Sequence, residues 1–138
     1  MGCATVLIAD DEEVVRTICR LAIQDKYDVL ESEDGEEAWK LILAKRPDLV
    51  LTDMIMPKLN GLDLAARIKA HPDLRNTLVV VMTGATAGEQ LPGGFWRMGT
   101  DADEFLQKPL EVAELRRSLE RLFENRVRPG QPPRGGYM

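Results

Sequence analysis

The chain has 138 residues, which is enough for one domain with its own core and too few for two comfortable ones. Its composition, 44% hydrophobic and 30% charged, is typical of a globular protein, and no apolar stretch is long enough to span a bilayer. The net charge of −5 argues against binding to a nucleic-acid backbone, which requires a basic face. The start of the chain lacks the pattern of a signal peptide, and the two cysteines have no metal-binding spacing. We therefore predict a cytoplasmic protein that contacts neither membrane nor nucleic acid.

Strand and helix patterns alternate along the chain, which predicts a parallel sheet built from βαβ units. The predicted strands are short, apolar and largely β-branched runs at residues 5–9, 28–31, 48–52, 78–82 and 104–107. Helical spacing of apolar residues predicts helices at 13–24, from 34 to the Arg46-Pro47 pair, at 62–70 and at 112–125. Prolines and glycines in the last residues predict a flexible tail or linker, so we divide the chain into a domain at 1–125 and a tail at 126–138.

The first predicted helix carries an apolar stripe at helical spacing. Its members are Val14, Ile18, Leu21 and Ala22, with Val15 beside them. Cys19 falls on the same stripe, and we expect it to be a small buried residue rather than a reactive thiol.

The segment at 84–100 is the least regular part of the predicted domain. A helix is expected between the fourth and fifth strands, but Gly88, Pro92, Gly93 and Gly94 interrupt it. We therefore predict a short or broken helix there.

Polar side chains stand where four of the predicted strands end. Asp10, Asp53 and Thr83 each follow an apolar strand directly, Asp11 is next to Asp10, and Lys108 follows the fifth strand. Each has an ordinary explanation alone, such as a helix-capping acid or a turn lysine. Because the carboxyl ends of parallel strands form the edge where open α/β folds bind ligands, we expect these groups to meet there. Carboxylates, a hydroxyl and an ammonium in one cleft predict a site for Mg²⁺ and a phosphoryl group.

Four motifs resemble the receiver domain of two-component response regulators. They are VLIADDE at 6–12, LVLTDMIMPKLNG at 49–61, VVVMTGA at 79–85 and ADEFLQKP at 102–109, in that order. The resemblance covers nearly all of residues 4–125. It implies an α/β, flavodoxin-like three-layer sandwich, with a five-stranded parallel sheet in the order 2-1-3-4-5 and helices on both faces.

The resemblance also implies a function and roles for particular residues. Asp53 would accept a phosphoryl group from the phosphohistidine of a histidine kinase or a histidine phosphotransfer protein. The ligands of Mg²⁺, or of Mn²⁺ in its place, would be Asp10, Asp11, Asp53 and the backbone carbonyl of Ile55. The phosphoryl-binding and switch residues would be Thr83, Lys108 and Phe105. The chain would catalyse only its own phosphorylation and dephosphorylation, and its output would be a change in contacts with a downstream protein.

Two alternatives stay open beside the receiver. A pseudo-receiver scaffold would work without phosphorylation, but such proteins usually lack part of the acidic and lysine set. A phosphohydrolase of the aspartyl-phosphate type usually has a second Asp two residues after its nucleophile, where this chain has Ile55.

Three further expectations concern partners and departures from the family. The sole histidine, His71, precedes Pro72 at a helix end away from the site, so the phosphohistidine must come from elsewhere. No DNA-binding domain follows the last predicted helix, so we expect any transcriptional output to be indirect. The interval from Thr83 to Lys108 looks longer than is usual in the family, which concerns the output face rather than the site.

Overall fold

The computed structural model describes residues 3–84 and 101–126. Within them a five-stranded parallel sheet has the order β2-β1-β3-β4-β5. The strands are β1 (Thr5–Ala9), β2 (Asp28–Ser32), β3 (Leu49–Asp53), β4 (Leu78–Thr83) and β5 (Glu104–Gln107). The helices are α1 (Glu13–Ile23), α2 (Gly35–Lys45), α3 (Gly61–Ala70) and α4 (Val112–Glu124). The predicted fold class and strand order are confirmed.

The central strands and the helix ends follow from the local sequence. Every residue of β3 and β4 is buried, as expected for apolar strands covered on both faces. The side chain of Asp34 accepts a hydrogen bond from the backbone of Glu37 at the start of α2, and Asn60 caps α3 in the same way. Arg46 ends α2 in a left-handed conformation with φ of 49°.

The apolar core has two parts, one on each face of the sheet. Helices α2 and α3 cover one face, where Ile42, Leu64 and Ile68 pack against β1, β3 and β4. Helices α1 and α4 cover the other face, where Ile23 and Leu115 belong to the second cluster. This arrangement is the predicted three-layer sandwich.

The apolar stripe of α1 does not form one buried face. Cys19 is fully buried and Ala22 is 5% exposed, as expected for core residues. In contrast, Val14 is 70% exposed, Ile18 45% and Leu21 59%. We call these three residues the α1 apolar face, and it lies on the solvent side of the helix that covers the core.

Two predicted segments fall largely outside the described residues. The broken helix expected at 84–100 is described only at Gly84, and the predicted tail only at Arg126. The division into a domain and a tail therefore stays a prediction. Among the helices that are described, none is long and apolar enough to cross a membrane.

Candidate functional site

The polar residues predicted to meet do so at the carboxyl edge of the sheet. Asp53 is the last residue of β3 and Thr83 the last of β4, while Asp10 follows β1 and Lys108 follows β5. These four strands are neighbours, so their ends lie side by side. Carboxylate oxygens of Asp10, Asp11 and Asp53 all lie within 4.8 Å of one another. These three acids therefore meet at one edge of the sheet, as the pattern of strand ends predicts.

Lys108 contacts two of the three acids directly. Its Nζ lies 2.9 Å from Asp10 Oδ2 and 3.2 Å from Asp53 Oδ1. Asp10 is fully buried and Asp53 is 8% exposed, so both carboxylates have lost most of their water. Such burial is tolerated because each charge has a cationic partner.

Burial and the charges of neighbouring groups both shift the pKa values of this cluster. Burial first, and then the charge of Asp10, raise the pKa of Asp53 from 3.8 to about 6, although Lys108 opposes this shift. Burial would lower the pKa of Lys108, but its hydrogen bond to Asp10 and the charges of Asp53 and Asp10 raise it above the ordinary value. The pKa of Asp53 stays raised although the Lys108 ammonium lowers it, so this one cation offsets only part of the burial and repulsion at Asp53.

Glu12 is a fourth acid at this edge that was not among the predicted site residues. Its Oε1 lies 3.6 Å from Lys108 Nζ, and its backbone N–H donates to Asp10 Oδ1 at 2.8 Å. The third letter of the DDE run was a signal that could have drawn attention to it. Arg16 was also missed: its Nη1 donates to the backbone carbonyl of Asp10 at 2.7 Å. Nothing in the spacing of α1 reveals that contact.

The predicted switch residues lie on the last two strands of the sheet. Thr83 is 3% exposed, and its backbone carbonyl accepts a hydrogen bond from the Lys108 N–H at 2.7 Å. Phe105 is half-buried and packs against the core cluster beneath α2 and α3. In the β4–β5 register Phe105 pairs with Val81 and Gln107 with Thr83, so Phe105 lies two register positions from Thr83 on the adjacent strand.

The loop between β3 and α3 is packed closely beneath Asp53. The Gly61 N–H donates to the Met54 carbonyl at 2.8 Å, and a Cβ at Gly61 would collide with the carbonyl of Asp53. Only glycine fits so near that backbone. Ile55, within this loop, has an exposed side chain. The loop thus holds the Asp53 backbone in place, while the Ile55 side chain turns toward solvent.

His71 lies at the opposite end of α3 from the acids, as predicted. It is the C-cap residue of that helix, and its ring packs edge-on to Trp39, with centroids 6.2 Å apart. Its Nδ1 accepts a hydrogen bond from the backbone of Asp73 at 3.1 Å. These contacts give His71 a structural environment apart from the acidic cluster.

The donor set at the sheet edge fits a hard divalent cation. Three carboxylates offer oxygen ligands within 4.8 Å of one another, and Asp11 among them is exposed. Oxygen ligands of this kind are those that Mg²⁺ takes in proteins. The charge surplus around Lys108 points the same way, because a dication would offset it.

Comparison with known proteins places the chain in a family. The family model for the response regulator receiver domain matches residues 6–120. Histidine kinase P4 from Formosa agariphila is 32% identical over 125 residues, which is 91% of this chain and 9% of that protein. The DNA-binding transcriptional regulator NtrC from Azospirillum brasilense is 32% identical over 142 residues, which is 96% of this chain and 27% of that protein. The chain therefore spans only a small part of the length of these relatives.

Solved structures give the same answer for the fold. The receiver domain of a signal transduction histidine kinase from Syntrophus aciditrophicus matches with a TM-score of 0.81 and 25% identity, covering 98% of this chain and all of that one (100%). The receiver domain of sensor histidine kinase PA1611 from Pseudomonas aeruginosa PAO1 matches with a TM-score of 0.75 and 25% identity, covering 87% of this chain and 97% of that one. A magnesium ion is coordinated in the active-site cleft of that protein. Because the family model covers most of this chain, the chain belongs to the response regulator receiver domains of two-component signal transduction.

Proposed function

We propose that this chain accepts a phosphoryl group on Asp53 from the phosphohistidine of a histidine kinase or phosphotransfer protein, in a reaction that requires Mg²⁺. The observation that carries the proposal is the placement of Asp53 at 3.2 Å from the ammonium of Lys108, with the carboxylates of Asp10 and Asp11 within 4.8 Å. Membership in the receiver family supports the same chemistry.

The proposed transfer is a substitution at phosphorus. A carboxylate oxygen of Asp53 forms a bond to phosphorus, the phosphorus–nitrogen bond of the donor breaks, and the imidazole leaves with the electron pair. Asp10, Asp11, Asp53 and the backbone carbonyl of Ile55 would hold the metal. When bound, Mg²⁺ supplies positive charge that offsets repulsion between two anionic reactants. Although the pKa of Asp53 is raised to about 6, it stays below neutral pH, so most of the carboxylate is ionised there and able to attack.

Lys108 and Thr83 would receive the transferred group. The Lys108 ammonium, now shared among carboxylates, is a compact charge suited to one phosphoryl oxygen. The Thr83 hydroxyl would gain a strong anionic acceptor and move toward it. That movement would vacate space beside β5 for Phe105 to turn inward, which converts phosphorylation into a changed surface.

The α1 apolar face is where we place the docking of the phosphodonor. Its residues belong to α1, which begins two residues after Asp11 and therefore starts at the sheet edge that carries the acids. A groove of about 400 Å³ continues from Ile18 and Val15 to Lys108 and Leu110. Exposed apolar patches of this kind mark interaction sites. An Ile18→Asp variant should keep its labelling by acetyl phosphate and lose labelling by a phosphorylated kinase domain that labels the wild type; equal loss from both donors would refute this placement.

The alternatives differ from the receiver in stoichiometry. A phosphohydrolase would turn over many equivalents of a phosphate ester, and a pseudo-receiver would take up none. Neither is favoured, because Ile55 offers no second acid and the acidic and lysine set is complete. We also propose that the chain works in the cytoplasm and acts on a downstream protein.

Intact-mass spectrometry after incubation with acetyl phosphate, with and without Mg²⁺, tests the proposal. One phosphoryl adduct is expected on the wild type with Mg²⁺, and none on Asp53→Asn. Asp101→Asn, the same change at an exposed position, should be labelled like the wild type. Full labelling of a folded Asp53→Asn variant would refute the assignment. A wild type that takes up neither phosphoryl nor beryllofluoride would instead be a scaffold.

A further inference from the structure

We infer that Arg16 is a positioning residue for the metal site: it fixes the peptide that joins Asp10 to Asp11, and so aims the Asp11 carboxylate. This inference rests on the proposed function only in that the site binds Mg²⁺. Arg16 lies on α1, five residues after Asp11, and its side chain is 12% exposed. At the acidic pair, Arg16 contacts the backbone carbonyl of Asp10 and neither of the two carboxylates.

Asp11 depends on its backbone for its orientation. Within residues 3–84 and 101–126, no hydrogen bond or ion pair holds the exposed Asp11 carboxylate. Asp10 differs, because its two carboxylate oxygens accept bonds from the Glu12 N–H and from Lys108. Because no side-chain contact in the described part of the chain fixes the Asp11 carboxylate, its direction depends on the orientation of the peptide that carries it.

Hydrogen bonds hold the backbone on both sides of Asp10, and the one from Arg16 falls on the peptide that joins Asp10 to Asp11. The Asp10 N–H donates to the Ser32 carbonyl at 3.1 Å, which continues the β1–β2 pairing for one more residue. The Asp10 carbonyl, which has left the sheet, accepts from Arg16 Nη1 at 2.7 Å. Since Asp10 is fully buried, the Arg16 guanidinium rather than bulk water satisfies this carbonyl. Removing the guanidinium would free the peptide plane between Asp10 and Asp11 to rotate.

Arg16 is itself held in a fixed direction by β2. Its Nε lies 3.2 Å from Glu31 Oε1, while Arg20 Nη1 lies 2.7 Å from Glu31 Oε2. The planar guanidinium thus bridges a side chain on β2 and a main-chain carbonyl after β1, which a lysine ammonium cannot do with the same geometry. Arg20 shares the Glu31 partner without contacting Asp10, and this makes it a matched control.

A positioning role and a purely electrostatic role of Arg16 predict opposite changes in Mg²⁺ affinity when the arginine is removed. Arg16 is a cation near a dication site, so its charge alone repels Mg²⁺, and removing it would tighten binding. If Arg16 instead positions Asp11, removing it weakens binding, as loss of groups that orient metal ligands commonly does by 10–100-fold. The direction of the change in affinity therefore separates the two roles.

Calorimetric titration with Mg²⁺ tests the inference on the wild type, Arg16→Met, Arg16→Lys and Arg20→Met. We expect Arg16→Met to bind about ten-fold more weakly, and Arg20→Met to stay within about two-fold of the wild type because its charge is partly exposed and screened. Arg16→Lys keeps the charge and loses the fork, so it should also bind more weakly. Thermal unfolding in EDTA, recorded for each variant, separates lost stability from lost affinity.

The other outcomes overturn the inference, the proposed function, or both. Unchanged or tighter binding by Arg16→Met overturns it, and so does equal weakening by Arg20→Met, which would trace the effect to Glu31. A wild type that binds no Mg²⁺ overturns this inference and the proposed function together. A wild type that binds Mg²⁺ but takes up no phosphoryl group refutes only the proposed function, and the comparison of the arginine variants still holds.

Discussion

Replacing Asp53 with asparagine should make the protein more stable at neutral pH. The folded protein raises the pKa of Asp53 from 3.8 to about 6, chiefly through burial and then through the charge of Asp10. At about 1.4 kcal/mol per pKa unit, the ionised carboxylate lowers the free energy of unfolding by about 3 kcal/mol relative to its neutral form. Asparagine resembles that neutral form in shape and cannot ionise. Asp53→Asn therefore removes the cost while abolishing the proposed acceptor.

The pH dependence gives the prediction its sign. Below about pH 4, Asp53 is protonated in both states, and the variant and wild type should be similar. Between about pH 4 and 6 the unfolded chain releases this proton while the folded protein keeps it. The contribution of Asp53 to the free energy of unfolding of the wild type therefore falls as pH rises. Above about pH 6 the full difference is present, and it should stay constant.

Urea unfolding followed by circular dichroism, in EDTA at several pH values from 4 to 8, measures this difference. With a slope of about 2 kcal/mol/M, the midpoint of Asp53→Asn at pH 8 should lie about 1.5 M above that of the wild type. Asp101→Asn makes the same chemical change at an exposed position and should shift the midpoint little. A variant no more stable than the wild type at pH 8, or a gap that does not close toward pH 4, would refute the reasoning.

Three further outcomes follow from the structure. Lys108→Met leaves the carboxylates of Asp10 and Asp53 without the ammonium that pairs with both, and it should lower the free energy of unfolding by about 3–5 kcal/mol in EDTA. A smaller loss with Mg²⁺ present would show that the ion can replace the ammonium in offsetting these carboxylates. Gly61→Ala places a Cβ against the Asp53 carbonyl and should cost about 1–3 kcal/mol in urea unfolding. A Cβ at Gly84 meets no atom of residues 3–84 and 101–126 within 4 Å, so Gly84→Ala should cost little, and equal losses would count against the close packing at Gly61. With Ellman's reagent the exposed Cys3 should react at once, but Cys19, whose pKa burial raises to about 12, should react only on unfolding. If two thiols of the folded protein react rapidly, the buried environment of Cys19 is contradicted.

The strands and their parallel arrangement were predictable because alternating apolar runs and helical patterns are visible in the sequence, whereas the strand order came from the resemblance to receiver domains. The apolar runs of β3 and β4 are buried on both faces and end in polar residues, so their positions and their common edge follow from the chain alone. Strand and helix limits differ from the prediction by one residue or two, as at β2, which extends to Ser32. Polar residues at strand ends are sited by topology, and this is why Asp10, Asp53 and Thr83 could be grouped in advance.

Side-chain contacts between elements could not be predicted in the same way. α1 has apolar residues on its inner and outer sides, so periodicity alone does not separate the buried Cys19 from the exposed Ile18 and Leu21. Arg16 was missed because its role depends on the direction of its side chain across the start of α1 and on a partner, Glu31, that lies fifteen residues away on β2. Such contacts belong to tertiary structure, and no local pattern encodes them.

A surplus of negative charge connects the stability of this site with its proposed chemistry. Lys108 pairs with Asp10 and Asp53 but not with Asp11, and burial followed by the charge of Asp10 already raises the pKa of Asp53. A phosphoryl group arriving alone would add further repulsion to these three carboxylates. A dication would offset that repulsion in the wild type, whereas Asp53→Asn has already lost part of it. Saturating Mg²⁺ should therefore raise the urea midpoint of the wild type more than that of Asp53→Asn, and the gap between them at pH 8 should narrow. If both midpoints rise equally, Asp53 does not contribute to binding the ion, and the acidic cluster would have to act through Asp10 and Asp11 alone.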